Sequence, residues 1–209
     1  MGLDVSAVSQ LEKVEVPEGI ELWSDEYYDW EGEQEYSLWY FRETGVFDKQ
    51  SQGLEEGAYN ALGEGHNFRA GSYSGYGMWR DELAHAAGYF GGVDQVWKGV
   101  DSEGYSEKPF EELLNFSDAE GWIGPITSKK LYKDFVDNEK QIMDTVDKWV
   151  LMKGHPDHTP SFLQRREEDQ FSPGTADYTL DDVRWFRVKY QDWKKAFELA
   201  SNNGAVIFH

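Results

Sequence analysis

Between Asn67 and Arg80 the chain reads Asn-Phe-Arg-Ala-Gly-Ser-Tyr-Ser-Gly-Tyr-Gly-Met-Trp-Arg. Arg69 and Arg80 can each grip a phosphate or carboxylate through two parallel N–H donors. Ser72 and Ser74 add hydroxyls, and the glycines between them let a ligand approach the backbone. The run lies just before an expected helix, whose first N–H groups favour an anion. Tyr73, Tyr76 or Trp79 offers a face on which a base or sugar can stack. The same residues also read as a Gly-rich turn whose arginines pair with the chain's own acids. Two familiar patterns are missing: the Gly-Lys-Ser/Thr ending of a phosphate-binding loop and the G-x-S-x-G elbow of a serine nucleophile.

A second block, Asn115-Phe-Ser-Asp-Ala-Glu-Gly-Trp-Ile-Gly124, holds Asn115, Ser117, Asp118 and Glu120. Paired carboxylates can share a proton, act as acid and base, or help hold a metal. Asp118 and Glu120 can equally cap a tight turn. A hard cation such as Mg²⁺ needs further oxygen ligands from elsewhere; no motif supplies them, so no cofactor is expected. His155-Pro-Asp-His158 has metal-ligand types, but its proline opposes a helical pairing and a loop is the plainer reading. His209 follows an apolar run, so its imidazole and a terminal carboxylate could reach a pocket, or the end could fray. Asp118, Glu120 and His209 are the candidate catalytic residues. Arg69, Ser72, Ser74, Tyr76, Trp79, Arg80, Asn115 and Ser117 are the candidate ligand-binding residues.

The elements that must position these groups mix strands and helices. Leu3, Val5 and Ala7 alternate with polar residues, as do Val14 and Val16, which predicts an early strand or hairpin. Residues 36–47 read as an aromatic strand and residues 50–66 as loop. A helix is expected from Met78 to Ala87, stopping near Gly88. Pro109 suits the first turn of a second, short helix. Thr127 or Ser128 would cap a longer helix with Leu131, Phe135, Ile142, Met143 and Val146 on its apolar face. A proline-bearing connection runs over residues 153–178. Asp181 or Asp182 would cap a last helix that buries Val183, Phe186, Tyr190, Trp193 and Phe197. Gly204 ends it, and Ala205–Phe208 reads as a closing strand. The expected fold is α+β, a single domain over residues 1–209 with a mixed or antiparallel sheet, three to four helices and a C-terminal strand.

Composition limits the function. The 209 residues carry 40 acids and 20 bases, a net charge of -20. Residues 1–60 alone hold 15 acids and 3 bases. Disordered acidic chains lack aromatics, whereas this one has 9 Trp, 12 Tyr and 12 Phe. The charge opposes direct binding to nucleic acid or an anionic membrane. No apolar run reaches the roughly 18 residues of a membrane span, and the first residues lack the basic and apolar regions of a signal peptide. The absence of cysteine excludes disulfide and thiolate chemistry and fits a cytoplasmic location. The acidic, aromatic-rich first 60 residues form either a solvated face or a surface that imitates nucleic-acid phosphates.

The blocks FRAGSYSGYGMWR, PFEELLNFSDAEGWIGP and FELASNNGAVIFH, with the opening MGLD, resemble a family of uncharacterised proteins found in bacteria, phages and prophages. The likeness spans most of the chain, and its marks are not signatures of any reaction. It falls on Arg69, Ser72, Ser74, Tyr76, Trp79, Arg80, Asn115, Ser117, Asp118, Glu120 and His209. Residue 119, where the family is associated with Cys, is Ala here, which removes a thiol mechanism at that position. The acidic N-terminal third is less typical of the family. Three functions follow as expectations. The first is a phage-type counter-defence protein that sequesters a phosphorylated, nucleotide-like ligand in a Gly/Ser/Arg/aromatic pocket. The second is an acidic interaction inhibitor, or DNA mimic, that occupies a basic host protein. The third is a hydrolase of a similar ligand, with Glu120 or His209 as base.

Overall fold

Alternation makes the first strand, β1 (Leu3–Val8). Leu3, Val5 and Ala7 join one buried cluster and Val8 a second on the opposite face, as a strand's period of two dictates. The computed structural model describes residues 2–21, 23–33, 38–43, 49–99, 108–117, 119–150 and 178–209. After β1 come β2 (Leu11–Lys13), α1 (Asp25–Gly32), β3 (Trp39–Phe41), β4 (Gly57–Ala61) and β5 (Gly65–Gly71). Then follow α2 (Tyr73–Ala86), α3 (Val93–Gly99), α4 (Glu111–Leu114), β6 (Gly121–Ile123), α5 (Pro125–Trp149), α6 (Leu180–Ala200) and β7 (Ala205–Phe208).

Two sheets form, a four-stranded one in the order β5-β1-β7-β6 and a three-stranded one in the order β2-β4-β3. Every pairing is antiparallel. The fold is therefore α+β with antiparallel sheets and a C-terminal strand, as expected. The described residues hold six helices rather than three or four, two of them of seven and four residues.

The four-stranded sheet is the middle layer. Helices α2, α5 and α6 pack on one face of it, and the three-stranded sheet covers the other through Val8, Leu11, Phe41, Tyr59, Ala205 and Ile207. The helical side is aromatic. Phe135 on α5 meets Tyr190 at 4.7 Å and Phe197 at 5.7 Å between ring centroids, and the Tyr190 hydroxyl donates to the Phe135 carbonyl at 2.7 Å.

Several boundaries differ from the sequence reading, for local reasons. Residues 50–66 are not all loop, because Gly57–Ala61 pairs with two neighbours although it lacks β-branched residues; tertiary pairing overrides propensity there. β1 and β2 do not form a hairpin, since Gln10 turns the chain at φ 54 and β2 joins the other sheet. Helix α2 begins at Tyr73, earlier than expected. Phe110 at φ 66 places Pro109 ahead of α4 rather than in its first turn. Pro125 opens α5 and leaves Thr127 and Ser128 buried inside it, because proline's fixed φ suits the first helical position. Thr179, not Asp181 or Asp182, caps α6, and the Asp182 side chain closes the reciprocal capping box. Apart from Tyr178, the connection over residues 153–178, with His155 and His158, lies outside the described residues.

The turn from α6 into β7 sits against β1. A Cβ on Gly204 would run into the Val8 carbonyl oxygen and lie 2.9 Å from the Ser9 Cα. Backbone cannot move aside as a flexible side chain can. Gly204→Ala is expected to cost about 2 kcal/mol through overpacking, seen as a lower urea midpoint at unchanged slope.

Candidate functional site

Antiparallel pairing gathers distant motifs at one end of the four-stranded sheet. β1 starts where β5 and β7 finish and where β6 begins. Arg69 on β5 stands opposite Asp4 on β1. On the other side of Asp4, the His209 backbone N–H donates to the Asp4 carbonyl at 3.0 Å. Gly121 pairs with Phe208, which brings Glu120 beside His209. Arg69, Asp4 and His209 thus occupy one row on adjacent strands, each step about 5 Å. Helix α2 begins directly after β5, so Ser72 and Ser74 arrive at the same end.

The row faces the second sheet. Phe68, Ala70 and Phe208 belong to the helical cluster, so their neighbours Arg69 and His209 turn the other way. Beside the row lies a cavity of about 570 Å³, lined by Trp39, Tyr40, Phe41, Arg42, Ser117, Glu120, Trp122 and His209 among others. Its aromatic walls are braced. Trp39 and Trp122 meet edge to face at 6.5 Å, and Phe41 lies 5.6 Å from Trp122. The His209 ring is 6.2 Å from Trp39, and its Nε2 shares a 3.0 Å hydrogen bond with the Ser6 hydroxyl. Burial, with Glu31 and Tyr27 nearby, pushes the Tyr40 hydroxyl far above the usual phenol range, so it remains a proton donor.

The turn that carries Glu120 is clamped by Ser117, whose Oγ accepts from the Ala119 and Glu120 N–H groups, both at 3.1 Å. Asp4, Arg42, Arg69 and Glu120 are exposed, and among the described residues none of them makes an ion pair. Elsewhere acids and bases are paired, as in Lys140–Asp144, Arg187–Asp147 and Lys194–Glu139. Arg42, Glu120 and His209 thus line an aromatic cavity, and Asp4 and Arg69 stand farther along the row.

The remaining candidates among the described residues do not line the cavity. Ser72 caps α2, its Oγ accepting from the Gly75 N–H at 3.0 Å with Ser74 Oγ 3.1 Å away. Tyr76 and Trp79 are fully buried. Their rings stack 6.3 Å apart, and both contact Trp193, so neither offers a face to a ligand. Arg80 is 5% exposed; its Nη1 donates to the Phe116 carbonyl at 2.6 Å. The guanidinium lies 5.0 Å from the Tyr76 ring and 5.6 Å from the Trp97 ring. Arg80 thus holds the segment before Ser117 instead of facing a phosphate. The reason is helical spacing: positions 76, 79, 80 and 83 form the inward stripe of α2. Asn115 ends α4 as its C-cap. Asp118 lies outside the described residues.

Sequence reasoning missed Asp4, Ser6, Trp39, Arg42 and Trp122. The alternation of β1 carried the signal for two of them, since a strand with Leu3, Val5 and Ala7 inward must present Asp4 and Ser6 together on its other face. Among the described residues no three acids or histidines lie close enough to hold a metal ion, and no helix is long and apolar enough to cross a membrane. No protein-family model, curated protein or solved structure matches the chain.

Proposed function

We propose that the protein binds a phosphorylated, nucleotide-like ligand at this end of the sheet and holds it without turnover. The observation that carries the reading is Arg42 and His209 in the lining of a cavity walled by Trp39, Tyr40 and Trp122, with Arg69 farther along the same row of the sheet. Guanidinium groups suit phosphates, and indole faces suit a base. Trp39 and Trp122 take the stacking role that the sequence assigned to Tyr76 and Trp79. With the resemblance to phage and prophage proteins, the corresponding role is cytoplasmic capture of a nucleotide signal used in host defence.

A thermal-shift screen of linear and cyclic nucleotides, with and without Mg²⁺, tests this, with mass spectrometry of each recovered hit. A ligand at 100 times its Kd stabilises the fold by about 2.7 kcal/mol. Arg69 is exposed on the edge strand, so Arg69→Ala should keep the unliganded melting temperature and weaken binding about tenfold, the scale of one charge-assisted hydrogen bond. An intact recovered ligand fits sequestration, a changed mass makes the protein an enzyme, and no shift across the panel contradicts the reading.

A second reading is favoured by α1. Asp25, Glu26, Asp29 and Glu33 are exposed there, with Tyr28 54% exposed among them. Such a face suits a basic protein partner, and its association would weaken with salt.

A further inference from the structure

We infer that Glu120 reads the edge of the bound base and selects a base that carries an exocyclic amino group. This rests on the nucleotide reading above and adds the ligand's class to it. A carboxylate has acceptors only, so what it recognises must bring an N–H. Glu120 lines the same cavity as Trp39, Trp122, Arg42 and His209. Arg42 and His209 can donate to an anion; Glu120 cannot, and it would repel one.

Position supports the division of labour. Glu120 lies two residues before Trp122 on one short segment, and the Ser117 hydroxyl holds the backbone there through the Ala119 and Glu120 N–H groups. The turn itself is anchored behind by Arg80 on the Phe116 carbonyl. No base pairs with Glu120 among the described residues, so its carboxylate oxygens are available. Glu120 and Trp122 line the cavity together, so a ring resting against Trp122 lies beside this carboxylate. Cytosine and adenine present an amino donor at C4 and C6. Uracil and hypoxanthine present a carbonyl oxygen at the same positions, which meets the carboxylate acceptor to acceptor. Such a mismatch discriminates by repulsion as well as by a lost bond.

The experiment compares ligands that differ at that one group, CMP against UMP and AMP against IMP, by calorimetric titration of the wild type and of Glu120→Gln. The wild type should bind CMP and AMP about tenfold more tightly than their partners, the scale of one hydrogen bond to a charged group at an open site. Glutamine can turn either its N–H or its carbonyl to the base, so Glu120→Gln should bind both members of each pair alike. Glu120 is exposed, and an unchanged melting temperature confirms that the variant is folded. Equal binding of both members by the wild type overturns the inference and leaves the nucleotide reading standing. A preference that survives in Glu120→Gln overturns it as well. Failure of all four nucleotides to bind overturns this inference, and the wider panel of linear and cyclic nucleotides then decides the nucleotide reading.

Discussion

Trp193→Ala should lower the unfolding free energy by about 4 kcal/mol, within the range for emptying a large aromatic from a core. Trp193 is fully buried, and its ring contacts Phe68 at 5.0 Å, Phe208 at 5.4 Å, Tyr76 at 5.6 Å, and Trp79 and Phe197 at 5.8 Å. It therefore ties α6 to α2, to β5 and to β7 at once. A cavity there cannot close by one neighbour moving, because the neighbours are themselves large rings fixed on separate elements. The indole N–H has no hydrogen-bond partner among the described residues, so Trp193→Phe, which keeps a ring, removes that donor and leaves only a small cavity, should cost about 1–2 kcal/mol. Urea unfolding of the two variants measures both. Similar losses would mean that a smaller ring restores none of the packing and that the core depends on the whole indole. Phe208 precedes His209, so loosening this cluster should also weaken ligand binding before the protein unfolds.

The second large effect is expected at Arg80. Arg80→Ala removes the guanidinium donor from the Phe116 carbonyl, and a hydrogen bond to a charged group contributes about 1.5–3 kcal/mol. It also withdraws a guanidinium and its stem from between the Tyr76 and Trp97 rings, where such contacts contribute about 1–2 kcal/mol. Relief of burying the charge offsets part of this, and the net expectation is a loss of about 3 kcal/mol. Arg80→Lys should recover only part of it, because an ammonium lacks the planar fork. If Arg80 instead touched the ligand, Arg80→Lys would keep full stability and lose binding alone. Equilibrium unfolding, run beside ligand titration, separates the two.

The sequence makes the long, periodic elements legible. The apolar faces of α5 and α6 and the strand Ala205–Phe208 appear as expected, because periodicity over 20 or so residues leaves few alternatives. Caps were harder. Thr179, Asp181 and Asp182 are all acceptable caps, and only the geometry of the reciprocal box selects Thr179. The site was half legible. Residue type pointed to Arg69, Ser117, Glu120 and His209, and strand register places all four at one end of the sheet. Residue type misjudged Tyr76, Trp79 and Arg80, where an aromatic or arginine suited to a ligand is equally suited to a core. The alternation of β1 already set Asp4 and Ser6 on one face; Trp39 and Arg42 were invisible for another reason. Their importance arises from pairings between the start, middle and end of the chain, and no local pattern encodes those.

The central claim is that the cavity between Trp39, Trp122 and His209 is where a ligand sits. The most direct measurement is a two-dimensional NMR titration of the tryptophan indole N–H signals with the tightest nucleotide of the panel, assigned with Trp39→Phe and Trp122→Phe. Stacking in the cavity should shift the Trp39 and Trp122 signals, while the buried Trp79 and Trp193 signals stay in place. Binding that leaves Trp39 and Trp122 unmoved would contradict the account and place the ligand elsewhere on the protein.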